Sequence, residues 1–581
     1  MSPGRWSSKN VRARPTNPLR MDVNSYLNVL FVEAAALAAL FLIGLATYRR
    51  SIRLIHVIER ALARLARRRA LSGVLIALFA FALSASLSLL GRMPEPEVHD
   101  EFSYLLAADT FTHGRLSNPP HPMWVHFETF HVIFHPTYAS KYPPGQGLTL
   151  ALGQILTGYP IVGVWLSTAV ASAAVYWMLL AWVPAWIALL GGIMTALHPG
   201  VQYWSQLYWG GQLGMIGGAL LFGALRRILR RPEVMDSILL GIGVAILANS
   251  RPYEGLLVAV PIFAALLIGA VRNRPLTPNV FRRTVLPIAV VLLVTLFGMG
   301  FYNLRVTGNP LRLPYMAHEE EYAVYPFFIW QQPRPVPTYR HKVLSDYHLV
   351  WEGDWYEPTK SLSGLINVTL EKLRRPWIFF QGIHAMRLVL AIPLFFLPWS
   401  FTRRRLRFVC AGAVFFAAGV LLISWGGARL WAPITGALIL IYLDGFRRMR
   451  LLRIGGFQIG RLLAWSIVFV AIGTFGLELR QRMKDDAPRW YFERARIRDQ
   501  LEKDGGRHLI LVRYGPDHSP LLEWVYNAAD IDGSKVVWAR EMNPSADKEL
   551  LDYFKDRKLW LLEVYDDTQL PRLIPLRTSK P

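Results

Sequence analysis

The step Asp100-Glu101, in the run HDEFSY (His99 to Tyr104), is an adjacent pair of carboxylates directly after a long apolar segment. Carboxylates at the mouth of a membrane-spanning helix are costly unless they are solvated or used. An ordinary aspartate, with a pKa of about 4, is ionised near neutrality and can accept a proton as a bond forms. Three cations stand on the side of the membrane where positive charge is otherwise avoided: Lys141 in KYPPGQG, Arg251 in SRPYE and Arg429 in SWGGARLWAP. They lie on separate loops, and together they suit the phosphate of a lipid headgroup, for which arginine offers a two-pronged donor. Arg251 has Glu254 close by in sequence as an alternative partner.

Other candidate groups are weighed against plainer roles. Tyr203, Trp204, Tyr208 and Trp209, in the hairpin GVQYWSQLYWG, read first as an interfacial aromatic belt. Glu320, within the acidic run Glu319–Glu321, reads as part of a solvated face placed to meet an incoming molecule. His126, His131 and His135 with Glu128 contain ligand types for zinc, and His131 and His135 would share a face if helical. The surrounding alternation of aromatic and His residues looks extended, however, and no HExxH occurs, so no metal site is expected. The single Cys410 excludes an internal disulfide.

Composition decides where these groups must sit. Of 581 residues, 53% are hydrophobic and only 18% charged, too apolar for a soluble enzyme of this length. The net charge of +24 lies mostly in short basic clusters between apolar runs, including Arg49–Arg53, Arg60–Arg69, Arg226–Arg231, Arg272–Arg274, Arg403–Arg407 and Arg447–Arg453. That distribution marks cytoplasmic loops rather than a nucleic-acid surface. With those loops inside, twelve spans are expected near 26–48, 71–91, 160–181, 184–199, 211–225, 236–250, 255–271, 284–303, 377–400, 408–424, 431–445 and 462–479. Residues 1–20 are basic yet fall outside on this topology; a start at Met21 removes the conflict.

The expected fold is therefore mainly α, a polytopic bundle of about 11–13 spans carrying a small C-terminal α/β domain. Residues 1–70 hold an uncleaved anchor and a basic amphipathic helix (51–70) on the cytoplasmic surface, 71–479 the bundle with outer loops 92–159 and 304–376, and 480–581 the α/β domain. In the first outer loop EFSYLLAADTF reads as an interfacial helix and KYPPGQGLTLALGQILTG as a surface or re-entrant one. RHLILVRYG, SKVVWARE and RKLWLLEVY read as buried strands, with a helix started at Asn543 or Ser545.

With these residues in place, the chain resembles the glycosyltransferase C superfamily, which includes protein O-mannosyltransferases and lipid A aminoarabinose transferases. HDEFSYLLAADTFTHGR is similar to that family's acidic first outer loop, and KYPPGQGLTLALGQ to its Lys-Pro-Pro-Leu segment, with a Tyr inserted. NSRPYEGLLVAVP, TGNPLRLPY and ARLWAPITGALILI resemble three further segments, the last with Trp and Ala in place of the family's residues. The resemblance covers roughly 71–479. It implies transfer of a sugar from a polyprenyl-phosphate carrier to an extracytoplasmic glycan, lipid or protein, with inversion in one displacement. On that footing Asp100 is the base, with Glu101 beside it, and Lys141, Arg251 and Arg429 hold the leaving phosphate. Tyr104, Tyr203, Tyr208, Glu254 and Glu320 are candidates for contacts to sugar or acceptor. No cofactor is required, and dependence on a divalent metal stays open. The expected location is the plasma (inner) membrane of a bacterium, with the site and the C-terminal domain outside. A lipid-linked sugar transporter or flippase, and a non-enzymatic envelope assembly factor, are the rival readings; transporters usually carry charge within their spans, and here the spans are nearly free of it.

Overall fold

A computed structural model describes residues 23–273, 277–380, 391–482, 489–565 and 570–576. The question of the starting Met lies outside the described residues. Helix α1 (Val23–Ala46) and α2 (Tyr48–Arg67) meet at a bend of 106°, so the basic amphipathic stretch turns sharply away from the apolar anchor. The apolar face of α2 explains that position: Ile52 and Ile55 pack on Leu462 and Trp465 of a late helix, while its arginines are left on the other side.

The bundle continues with α3 (Arg69–Leu90), then crosses an outer layer before returning. That layer holds α4 (His99–Thr112), a minimal antiparallel pair β1 (Val132–Ile133) and β2 (Ala139–Ser140), and α5 (Pro144–Thr157). Leu148, Leu152, Ile155 and Leu156 of α5 are left exposed, an apolar stripe at helical spacing that fits the membrane interface. The helices α6 (Ile161–Leu179), α7 (Ala185–Leu197), α8 (Gln212–Ile228), α9 (Val234–Ala248), α10 (Pro252–Asn273) and α11 (Leu286–Thr307) follow. After the long outer loop, with α12 (Pro314–Tyr322) and α13 (Leu362–Phe380), come α14 (Arg404–Leu421), α15 (Thr435–Met449) and α16 (Ile459–Arg482).

Among the described residues six helices are long and apolar enough to cross a membrane, or seven if the bent α1–α2 pair is one span. The twelve expected spans differ from this in a physically consistent way. Segments 184–199 and 236–250 form helices of only 13 and 15 residues, and helices enclosed by protein satisfy their backbones without matching the bilayer. Close backbone approach is seen on the second of them: a Cβ on Gly243 would stand 2.9 Å from the Gly217 carbonyl oxygen of α8, the role small residues play between membrane helices. The expected span 377–400 is not one helix either. α13 is described as far as Phe380, residues 381–390 lie outside the described residues, and Ile392–Thr402 is a 3-10 stretch containing Pro398 rather than α-helix.

The C-terminal region is a four-stranded sheet in the order β4-β3-β5-β6, with β3 (His508–Tyr514) parallel to β4 (Val536–Arg540) and β5 (Lys558–Val564), and β6 (Arg572–Pro575) antiparallel to β5. Helix α17 (Trp490–Lys503) precedes the sheet, and α18 (Pro544–Tyr553) links β4 to β5. Asn543 caps α18, its side chain accepting from the backbone of Ser545 and Ala546. The mainly α bundle with a small α/β appendage is thus the architecture observed.

Candidate active site

Pro94 and Pro96 end the chain leaving α3, and α4 begins at His99, so Asp100 falls in the first helical turn. A carboxylate there meets the positive end of the helix. Asp100 Oδ1 accepts from Arg429 Nη2 at 3.3 Å and from the Tyr142 hydroxyl. Burial pushes the Asp100 pKa up, but Arg429, the Tyr142 hydrogen bond, Lys141 and His99 outweigh it and hold the carboxyl below its usual range. Asp100 is therefore ionised near neutrality while its side chain keeps 15% of its surface open.

Arg429 enters on the turn before α15. Its guanidinium lies 3.5 Å above the Trp209 ring, and its Nη1 is buried without a hydrogen-bond partner among the described residues. Arg251 precedes Pro252 at the start of α10, and its side chain makes no hydrogen bond or ion pair among the described residues. Burial lowers the Arg251 pKa, and the nearby Tyr104, Glu254, Asp100 and Tyr142 raise it further than burial lowers it. Lys141 is buried and already paired, its Nζ 3.1 Å from Glu319 Oε1. Glu319 is held below the usual carboxylate range: burial pushes it up, and Lys141 and His318 bring it down.

These groups face one cavity of about 2790 Å³. Asp100, Tyr104, Lys141, Arg251, Glu254 and Arg429 line its inner part. Tyr203 lines it too, and Glu320 reaches its rim while bonded to Arg312 at 2.5 Å. Tyr104 stacks on Tyr142 with ring centroids 4.5 Å apart. Part of the wall comes from the C-terminal region, through Arg489–Tyr491 and the segment Pro516–Leu522.

Two of the expected site residues sit elsewhere. Glu101 is fully buried behind Asp100 and outside the cavity lining. Its Oε2 accepts from the backbone N–H of Glu97 (2.6 Å) and Val98 (3.3 Å), and its Oε1 from that of Tyr208 (2.7 Å). Burial pushes its pKa up to about 8. Tyr208 is buried, with its hydroxyl donating to the Pro94 carbonyl at 2.9 Å. Both residues tie the 204–210 hairpin to the start of α4. The helical spacing seen in EFSYLL carried this signal, because adjacent residues on a helix point about 100° apart.

Tyr142 is the contact that sequence reasoning did not single out, while Glu319 and Trp209, read within an acidic run and an aromatic belt, were not expected beside Lys141 and Arg429. The first is the Tyr inserted within KYPPG, which lies next to Lys141. Glu128 of the first outer loop accepts from the Tyr322 hydroxyl at 2.9 Å. His126 faces the carbonyls of Arg540 and Ala546. Among the described residues no three His, Cys, Asp or Glu side chains converge as a metal ion would require.

No family model and no curated protein matches the sequence. Among solved structures the chain is similar in course to ArnT from Cupriavidus metallidurans in the apo state, at 11% identity and a TM-score of 0.49, over 84% of this chain and 92% of that one. The same protein bound to undecaprenyl phosphate gives 12% and 0.47 over the same shares. The archaeal oligosaccharyltransferase AglB from Archaeoglobus fulgidus, in complex with an inhibitory peptide and a dolichol-phosphate, gives 12% and 0.45 over 84% and 69%. Likenesses this distant carry no weight for activity.

Proposed function

We propose that this chain is a membrane glycosyltransferase of the glycosyltransferase C type, moving a sugar from a polyprenyl-phosphate carrier to an extracytoplasmic acceptor. One observation carries the reading: an ionised Asp100 bonded to Arg429, which keeps a buried Nη1 unpartnered, beside an Arg251 unpaired among the described residues, all in one cavity. A carboxylate with cations that have donors to spare suits a reaction that both removes a proton and releases an anion.

The chemistry then balances without another reactant. The acceptor oxygen attacks the anomeric carbon and forms the new C–O bond as the bond from that carbon to the phosphate oxygen breaks. The electrons of the broken bond leave with the prenyl phosphate, whose growing charge meets Arg429 and Arg251. The acceptor proton passes to Asp100, and the anomeric centre inverts. Lys141, already neutralised by Glu319, acts as a positive neighbour rather than a free phosphate ligand. Glu101 shapes the turn that presents Asp100. The C-terminal segment Pro516–Leu522, which lines the cavity, is placed to meet the acceptor. The membrane is the plasma membrane of a bacterium, with the cavity on its outer side.

The test is transfer by purified protein from a panel of prenyl-phosphate sugars. Asp100→Asn is expected to lower turnover by about 10²-fold or more while leaving fold and abundance unchanged. Wild-type protein, well folded, that transfers nothing from a broad panel but moves lipid-linked sugar across vesicles would replace this reading with a transporter.

A further inference from the structure

The loop that carries Arg429 is gripped by a buried lysine that, among the described residues, pairs with no carboxylate. Lys372, on α13, is 2% exposed, and its Nζ donates to the backbone carbonyls of Ile423 and, at 3.3 Å, Leu421. These belong to the end of α14, where the last carbonyls lack intrahelical donors and a lysine can supply them. Among the described residues no Asp or Glu pairs with Lys372. A buried charge is a costly way to fill space, so its position calls for a task that an apolar side chain could not perform.

Neighbouring contacts extend the grip toward the cavity. Arg375, one turn further on α13, donates from Nη1 to the Gly426 carbonyl at 3.3 Å, pairs with Glu371 at 3.0 Å and lies 4.4 Å over the Trp355 ring. Those contacts commit two of its five N–H donors to protein. The stem of Lys372 lies on Gly426 itself, where a Cβ would stand 2.6 Å from Lys372 Cγ. From the opposite side Ser424 donates its hydroxyl to the Pro326 carbonyl at 2.6 Å and its N–H to that of Phe327 at 2.8 Å. Residues 421–427 are thus held by both ends of the long outer loop, and Arg429 follows immediately.

We propose that Lys372 and Arg375 are positioning residues for Arg429. By fixing the backbone of 421–427 they set the guanidinium over Trp209 with Nη1 available to the phosphate of a prenyl-phosphate lipid. The inference rests on the proposed role of Arg429. Lys372 lies outside the cavity lining, and displacement of a binding group by about 1 Å is enough to weaken its work many-fold.

Equilibrium binding of undecaprenyl phosphate to the purified full-length chain in detergent tests this. Arg429→Ala sets the scale, with an expected loss of about tenfold. Lys372→Met is expected to lose about fivefold or more, Lys372→Arg to recover most of that loss, and the double variant K372M/R429A to bind no more weakly than R429A alone. A loss below about fivefold in K372M, no recovery in K372R, or additive losses in the double variant would overturn the proposal. Should K372M fail to fold, Arg375→Gln, at a partly exposed position, decides by the same threshold and the same double variant. R429A binding as tightly as wild type is a separate outcome: it removes the donor-site reading itself, and this inference with it.

Discussion

As the proposed base, Asp100 combines two demands that pull in opposite directions. A base must hold its proton once it has taken it, whereas Arg429 and the Tyr142 hydroxyl both favour the charged carboxylate. The compromise suits a reaction in which the acceptor hydroxyl loses its proton late, as the bond to phosphate is already failing. Asp100→Asn is expected to lower kcat by about 10²- to 10⁴-fold with undecaprenyl phosphate binding retained, checked by steady-state transfer and equilibrium binding. Because the folded pKa of Asp100 is depressed, its charge persists down through the ordinary carboxylate range and is lost only as pH falls through the lowered value. The acid limb of kcat/KM is therefore expected below about pH 4. Tyr142→Phe removes one of the groups that depress it, so the same limb should move to higher pH, a shift read directly from the pH profile. A profile that ignores the phenol would remove Tyr142 from the site.

At the scale of elements, the hairpin at 204–210 and the first turn of α4 are joined by a single carboxyl group. Glu101→Ala would leave three N–H groups without this acceptor, and the buried one, of Tyr208, alone costs about 1–3 kcal/mol. A large drop in melting temperature is expected, with whatever protein stays folded showing lower activity but an unmoved acid limb. That separation from Asp100 was only half legible in the chain. The carboxylate pair stood out because charge after an apolar run is costly, and the helical spacing of EFSYLL was visible. Which of the two faces the cavity depends on the start of the helix, which Pro94 and Pro96 indicate but do not number. The strands and the Asn543 cap were readable from local pattern, since their signals lie within a few residues. Tyr142 was not, because its partner is 42 positions away and pairs of that separation leave no periodic trace. The helices at 185–197 and 234–248 were read as full spans because apolar character alone cannot distinguish lipid from protein as the surrounding medium.

On the scale of the whole molecule, the C-terminal region is docked to the first outer loop by buried polar contacts. Arg540 donates to Glu523 at 2.9 Å and to the Glu128 carbonyl at 3.0 Å, and both charged side chains are almost completely enclosed. Tyr138 donates to the Asn527 carbonyl, and Asp109 accepts from the Ala529 N–H. Arg540→Gln leaves Glu523 buried without its cation and is expected to cost about 3–5 kcal/mol. Faster cleavage by added protease after α16, together with weakened transfer, would report loosened docking. Unchanged protease sensitivity would show that the pair contributes little to it.

The roof formed by Pro516–Leu522 also bears on how the protein comes into being. Polypeptides emerge from the ribosome in order, and early regions fold before late ones exist. Asp100 and its cationic neighbours are thus synthesised well ahead of the segment that shelters them, and during that interval the hollow lies open to water and to whatever drifts past. That side of the cavity is walled only once the C-terminal sheet has packed against the segment around Glu128 and Tyr138.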